Sequence, residues 1–320
     1  MKILKKNTIK KNNTDTYTKE KVKKDKENGV PKLKLIKVDQ FSFVDMSSIK
    51  LESDILKFIE NNKKLLDLYN GFVIDKQVEI NEFINGDYVK QAYLYKGLVI
   101  INTLTESNIH AITVGIINDT LAVYRWNNAE VGTAGTGSIA INQNTCQQPD
   151  GQLYRVPQFP LLQNPFPVFA QDVYYKSLPP PAAMQKIILY FNVPTINALL
   201  FIQIYDRDPL YGGNFKAVAG LYQRNFSIIY PSSIISFGSQ PLSANDIATY
   251  NQLSNNTPIT GYLHNNNNLN NNPNNQMFII TINQETLYNN PVPVGTGPLE
   301  LNLFIVKQKM DLVADFPATF

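Results

Sequence analysis

The sequence has very little of the residues that build covalent and metal frameworks. Its 320 residues include one cysteine, one tryptophan and two histidines. A single cysteine, Cys146, excludes an intramolecular disulfide framework and a zinc or iron–sulfur site made of cysteines. Catalytic triads and many metal sites depend on histidine, and here we expect His110 to be an ordinary strand residue and His264 to lie in a polar loop. The sequence therefore predicts no catalytic residue and no cofactor.

Long apolar runs are also missing. No run approaches 18 apolar residues, so we expect no transmembrane helix. The N-terminus is charged, but the apolar core of a secretory signal does not follow it. Charged residues form 17% of the chain, below the usual share of about 25%. Asparagine, with 38 residues, supplies much of the polar surface instead.

What charge there is divides unevenly along the chain. Residues 1–38 hold 13 lysines and 4 acids, so the remainder holds 16 basic and 22 acidic groups. Such a segment buries too little apolar surface to fold alone, and we expect a flexible basic arm. It would contact nucleic acid or another acidic surface through its charge, lie along neighbouring subunits, or stay solvated. The candidate partner-binding residues of this arm are Lys5, Lys6, Lys10, Lys11, Lys21, Lys23, Lys24 and Lys26.

Residues 39–70 are predicted to be a linker followed by one amphipathic helix. Apolar residues recur at helical spacing over 47–69. Ser47 or Ser48 offers an N-cap, and Asn70-Gly71 offers a stop. We expect the helix to pack on the β core or between subunits.

From residue 71 to 320 the pattern is typical of short strands bounded by turn residues. With no alternating helices, it favours a mainly β fold, an antiparallel β-sandwich that is jelly-roll-like, and it excludes a doubly wound α/β fold. A proline cluster marks a possible internal division near 178–183. The candidate strands are 71–75, 90–104, 109–117, 120–126, 136–141, 153–157, 168–176, 186–193, 198–205, 215–221, 226–235, 276–283 and 299–307.

Two further segments carry candidate features. Residues 254–276 form an asparagine-rich tract, which we interpret as a long exposed loop. Asp206 and Asp208 flank an arginine just before a proline. Two carboxylates at this spacing are candidates for a divalent cation site, and a charged turn is the more ordinary interpretation.

The layout of arm, helix, β domain and proline-rich loops at 160–167 and 291–298 resembles jelly-roll capsid and penton-type structural proteins of viruses and phages. That resemblance implies a virion protein, assembled in the host cytoplasm. Its β domain would form a homo-oligomeric shell with other virion proteins, and its arm would touch genome, membrane or neighbours. The alternative is an attachment, fibre or decoration protein that binds a receptor or glycan through the β domain. We do not expect an enzyme, because no catalytic set is apparent.

Overall fold

A computed structural model describes most of the chain beyond the basic arm. The described residues are 34–38, 41–48, 72–86, 92–101, 108–128, 130–134, 137–155, 166–175, 180–205, 214–262, 276–288 and 292–313. Within these ranges, no helix is long and apolar enough to cross a membrane. The candidate lysines of the arm lie outside them, and so does the predicted helix apart from the turn residues Ser47 and Ser48. The chain divides into two compact units, one made of 1–105 with 140–148 and the other of 106–139 with 149–320.

The first unit is built on a seven-stranded sheet with the order β1-β2-β3-β5-β4-β8-β7. The last residues of the predicted arm form its edge strand, which pairs antiparallel with β2, whereas β2 and β3 run parallel. A short helix, α1 (Ile80–Asn85), packs Phe83 against buried Leu94, Val99 and Cys146. The strands are β1 (Leu35–Val38), β2 (Phe41–Asp45), β3 (Phe72–Lys76), β4 (Ala92–Tyr95), β5 (Leu98–Ile101), β7 (Ile139–Asn142) and β8 (Thr145–Gln147).

The second unit contains a seven-stranded mixed sheet with the order β14-β13-β12-β11-β10-β9-β6 and a two-stranded sheet, β15-β16. The strands are β6 (Val131–Ala134), β9 (Gly151–Arg155), β10 (Phe166–Tyr175), β11 (Ala198–Ile204), β12 (Lys216–Gln223), β13 (Ser233–Gly238), β14 (Ile259–Gly261), β15 (Ile279–Ile282) and β16 (Leu299–Asn302). The helices are α2 (Asn108–Asn127), α3 (Pro180–Phe191), α4 (Ala244–Leu253), α5 (Gln284–Tyr288) and α6 (Leu303–Val313).

Helices cover both faces of the seven-stranded sheet in the second unit. On one face, α2 packs Ile117 and Leu121 against strand residues such as Val173 and Leu200. On the other, α3 packs Ile187 and Tyr190 against neighbours that include Ala170 and Leu199. Because successive strand residues point to opposite faces, β11 is buried at all seven of its residues.

The strand pairing corrects the predicted architecture. The β-rich class is confirmed, but the sheets are not purely antiparallel, since β2–β3, β10–β11 and β13–β14 are parallel pairs. A parallel pair requires a crossover, and α3 supplies it between β10 and β11. The premise that the chain has no crossover helix was therefore wrong. The cause is that strands predicted at 109–117 and 120–126 form the single helix α2, and the strand predicted at 186–193 is largely the second half of α3.

Candidate functional site

The residues proposed from the sequence as a metal pair, Asp206 and Asp208, lie outside the described part of the chain, as does His264. His110 is described, and it lies in the first turn of α2 rather than on a strand. The structure brings together a different set of ionisable side chains, all in the second unit. They come from β10, from the residue before β9, and from helices α2 and α3.

The pairing of β9 with β10 brings two acidic residues close together along the backbone. Asp172 lies in the middle of β10, and Asp150 directly precedes β9. Gln171 is opposite Gly151 in the antiparallel register, and the Asp150 amide donates to the Gln171 carbonyl at 2.9 Å. Strand pairing thus places Asp150 beside Asp172, although 22 positions separate them in the sequence.

Asp172 is a buried carboxylate with a cation beside it. Its side chain is 5% exposed, and Lys186 of α3 places Nζ at 3.1 Å from Oδ2. The hydroxyl of Tyr174 donates to the same oxygen at 2.9 Å. Burial raises the pKa of Asp172 above its ordinary value of 3.8; Lys186 and Tyr174 oppose the rise, and the charge of Asp150 adds to it. Asp172 is therefore a carboxylate whose charge depends on positive groups nearby.

Tyr174 stays a donor in this arrangement. Burial, followed by the charge of Asp172, raises the pKa of Tyr174 well above 10. The ammonium of Lys186 also lies 4.9 Å from the centroid of the Tyr174 ring, within the range of a cation–π contact. Tyr174 consequently fixes the positions of both members of the ion pair.

Asp150 is held from the other side of β10. Its Oδ2 accepts a hydrogen bond from the Val173 amide at 2.7 Å and lies 3.3 Å from Nε2 of His110 on α2. The Asp150 carbonyl accepts from Nδ2 of Asn118 at 3.0 Å, and Asn118 accepts in turn from Gln171. The Asp150 side chain remains 20% exposed, so it is oriented by the protein and still open to a small ligand.

The glycine after Asp150 is required by close packing. A Cβ at Gly151 would collide with the side chains of Asn118 and Gln171. With no Cβ, β9 lies close enough to these amides for Asn118 to fix the backbone of Asp150. The position of the first carboxylate therefore depends on this close approach.

The carboxylate oxygens of Asp150 and Asp172 are ligands of the type that a hard divalent cation prefers. Among the described residues, no group of three or more His, Cys, Asp and Glu side chains is placed to hold a metal ion. Mg²⁺, however, is commonly held by one or two carboxylates, with the rest of its shell supplied by water and substrate phosphates. For Asp150 and Asp172 the contacts described above all fall on Oδ2.

Sequence reasoning missed Asp150, Asp172 and Lys186, although two signals were present. Asp172 is a charged residue inside an apolar strand run, VFAQDVYY, and a charge at such a position needs a partner. Asp150 follows a proline and immediately precedes a strand. Lys186 carried no comparable signal, because the run around it was assigned to a strand.

Neither a family model nor a curated protein matches this chain. A solved structure described as "a putative nuclease belonging to DUF820", from Anabaena variabilis, is similar over 53% of this chain and 92% of its own length, with 9% identity and a TM-score of 0.36. This finding contradicts our prediction that the chain is not an enzyme, and we withdraw that prediction. At this TM-score the similarity carries no argument about fold or activity, which must rest on the side chains themselves.

Proposed function

We propose that the second unit is a metal-dependent phosphodiesterase that acts on nucleic acid. The observation that supports this proposal is that strand pairing brings Asp150, just before β9, close to Asp172 of β10, while Lys186 of α3 lies 3.1 Å from Asp172. Two carboxylates beside a lysine form a set that joins cation binding to recognition of a phosphate. The similar solved structure is not part of this support.

Each residue has a distinct role in this proposal. Asp150 and Asp172 would hold a divalent cation, which when bound supplies Lewis-acid polarisation of a phosphoryl oxygen. Lys186 would donate to a phosphate oxygen where negative charge develops, an arrangement that lowers the barrier when the donor is already in place. His110 and the Val173 amide hold the Asp150 carboxylate in position.

The choice of nucleic acid as substrate depends on the charge of the chain. The 13 lysines of residues 1–38 lie mostly outside the described part of the chain, but their charge is a property of the sequence. A basic segment attracts a polyphosphate through counterion release and needs no base information. The proposal therefore assigns affinity to the arm and chemistry to the second unit.

Cleavage assays with matched variants test the proposal. Purified full-length protein is incubated with single-stranded DNA, double-stranded DNA and single-stranded RNA, with Mg²⁺ or with EDTA. We expect Mg²⁺-dependent cleavage of at least one substrate, and its loss in Asp150→Asn, Asp172→Asn and Lys186→Met. Glu285→Gln is the control, because it neutralises an exposed acid outside the site. No cleavage by the wild type, or full cleavage by a folded Asp172→Asn variant, would contradict the proposal.

We propose a role in a virion shell as a second function, with receptor or glycan attachment as its alternative. The observation that favours it is a set of large apolar side chains on the surface, including Trp126 at 83% and Val123 at 59% exposure. Exposed apolar side chains of this size suit contacts between subunits. The parallel strand pairs and the covering helices disfavour a jelly-roll-like sandwich. This proposal therefore relies on the exposed apolar side chains and not on the fold. Sedimentation and electron microscopy across protein concentrations test it, and a monomer under all conditions would contradict it.

A further inference from the structure

A second candidate site lies in the same unit, in a cleft beside the turn that follows β12. The cleft has a volume of about 390 Å³, and we call it the 226–257 cleft. Aromatic, hydroxyl and amide side chains line it, and none of the lining residues carries a charge. They include Phe226, Ser227, Tyr230, Asn255, Asn256 and Thr257.

The walls of the cleft are fixed by local hydrogen bonds. Ser227 Oγ accepts from the amides of Ile229 and Tyr230 at 3.2 and 3.0 Å, which closes the turn that carries both aromatic rings. On the opposite wall, Thr257 Oγ1 lies 3.0 Å from the Pro231 carbonyl and 2.9 Å from the Ser254 carbonyl, and its single hydrogen is shared between them. These bonds tie the segment after α4 to the aromatic turn, so the cleft is formed before any ligand arrives.

The groups that face solvent at this cleft suit a flat, polar ring. Phe226 is 64% exposed. Asn255 and Asn256 have φ values of 51° and 61°, a left-handed conformation that asparagine tolerates. The side-chain amides of Asn255 and Asn256 form no hydrogen bond with any other residue that the structure describes. The cleft thus combines aromatic rings, on which a base stacks, with amides that pair with a base edge.

We propose that the 226–257 cleft binds an unpaired nucleobase of a single-stranded substrate. This inference rests on the proposed phosphodiesterase function and names the form of nucleic acid that it would act on. The absence of charge among the lining residues favours a base over a phosphate, because the negative charge of a phosphate is most strongly bound by lysine or arginine. Stacking on an aromatic ring tolerates any base, so the cleft would recognise strandedness more than sequence.

The cleft also lies within reach of the candidate catalytic residues. A line across the sheet from Asp172 runs through Phe201, Gly220 and Ile234 to Ile259, and Thr257 of the cleft is two residues before Ile259. With about 4.8 Å between strands and a rise of about 3.3 Å per residue, Thr257 lies roughly 20 Å from Asp172. At about 3.4 Å per nucleotide of a stacked strand, this distance corresponds to roughly six nucleotides. A single strand of this length is therefore long enough to extend from the cleft to the carboxylate pair.

The experiment compares two oligonucleotides that carry the same phosphates. Fluorescence anisotropy measures binding of full-length protein to a fluorescein-labelled thymidine dodecamer and to an abasic dodecamer, in EDTA and at raised salt. The EDTA removes any dependence on cleavage, and the salt weakens the contribution of the lysine arm. We expect wild type to prefer the base-bearing strand, because the abasic strand has no ring to stack.

Three variants test which residues cause the preference for the base-bearing strand. Phe226→Ala should lower affinity for the base-bearing strand by about fivefold or more and leave the abasic strand unchanged. Asn255→Gly combined with Asn256→Gly removes both amides and keeps a backbone suited to positive φ, and it should also reduce the preference. Ile229→Ala is the matched control, since Ile229 is an exposed apolar residue of the same turn that does not line the cleft. Thermal unfolding confirms that each variant is folded.

The possible outcomes separate this inference from the proposed function. Equal binding of the two strands by wild type, or equal loss in Phe226→Ala and Ile229→Ala, would overturn the cleft as a base site whatever the cleavage assay shows. A base preference that depends on Phe226 without Mg²⁺-dependent cleavage would support the cleft and reject the phosphodiesterase.

Discussion

Replacing Lys186 with methionine tests the buried ion pair at the centre of the candidate site. The substitution keeps a long side chain on α3 and removes the cation that lies 3.1 Å from Asp172. The Asp172 carboxylate is 5% exposed and cannot recover its hydration. Removing one partner of a buried pair is strongly destabilising, because it leaves an uncompensated charge, and costs of about 3–5 kcal/mol are typical.

Proton uptake sets an upper limit on this cost. Starting from an ordinary pKa of 3.8, protonating a carboxyl at pH 7 costs roughly 4 kcal/mol, at 1.36 kcal/mol per pKa unit. Asp172 would become neutral before the penalty exceeded that value. Its pKa is already raised in the wild type, so part of the cost is present there. We therefore expect Lys186→Met to lose about 3 kcal/mol at pH 7, and no more than about 4 kcal/mol.

The pH dependence identifies the cause. The pKa of Asp172 is raised in the folded state, so the folded protein binds this proton more tightly than the unfolded chain does. The destabilisation of the folded protein by the buried Asp172 charge is absent below pH 3.8. It grows as the pH rises through the pKa of Asp172 in the folded state. Lys186→Met raises that pKa further, so its difference from wild type should be small near pH 4 and full at pH 7.

Urea denaturation followed by circular dichroism at several pH values measures the effect. Tryptophan fluorescence would be a poor probe, because Trp126 is 83% exposed. The double variant Asp172→Asn, Lys186→Met removes both charges and should recover most of the stability at pH 7. An equal loss at pH 4.5 and pH 7, or no recovery in the double variant, would refute the electrostatic reasoning and leave lost packing as the cause.

Two other expectations test packing and charge at separate places. Gly115→Ala should stabilise α2 by up to about 1 kcal/mol, because nothing lies within 4 Å of the added Cβ. Gly151→Ala should destabilise the protein by about 1–3 kcal/mol, because its Cβ collides with Asn118. Thermal unfolding compares the two variants, and similar effects of both would contradict the packing described here. Burial alone would raise the pKa of Asp45, but contacts led by Lys76 lower it to about 2. The carboxylate's stabilisation should therefore be present above pH 3.8 and lost as the pH falls towards 2. Asp45→Asn should cost about 1–2 kcal/mol at pH 7, discounted for partly exposed lysines, and a cost that persists at pH 2 would contradict this assignment.

Helix α2 shows where local preference and tertiary packing disagree. Its sequence is rich in isoleucine, valine and threonine, which favour strands, and two strands, 109–117 and 120–126, were predicted across it. The buried residues Ile109, Ile117, Leu121 and Tyr124 nevertheless recur at spacings of 8, 4 and 3, which is a helical period. Periodicity was the better predictor here, because the apolar face against the sheet outweighs the small differences in propensity.

Helix α3 could not be assigned in the same way. The run KIILYF at 186–191 is apolar with few interruptions, and such a run fits a buried strand as well as a buried helix. Length would have distinguished them, since α3 begins at Pro180, but its first residues are prolines and alanines that give no apolar period. Proline at the start of a helix is favourable, and here it was interpreted as a domain boundary.

The candidate site was hidden by the same errors that obscured the fold. Neighbouring residues of a strand point to opposite faces of the sheet. The Asp172 side chain therefore reaches Lys186 on α3, while the next amide, of Val173, holds Asp150 beside His110 on α2. Such a site needs a helix on each face of β10. Assigning both helices to strands removed His110 and Lys186 from the neighbourhood of the carboxylates. Fold and chemistry had to be recognised together, because the covering helices supply two of the four ionisable side chains of this site, His110 and Lys186.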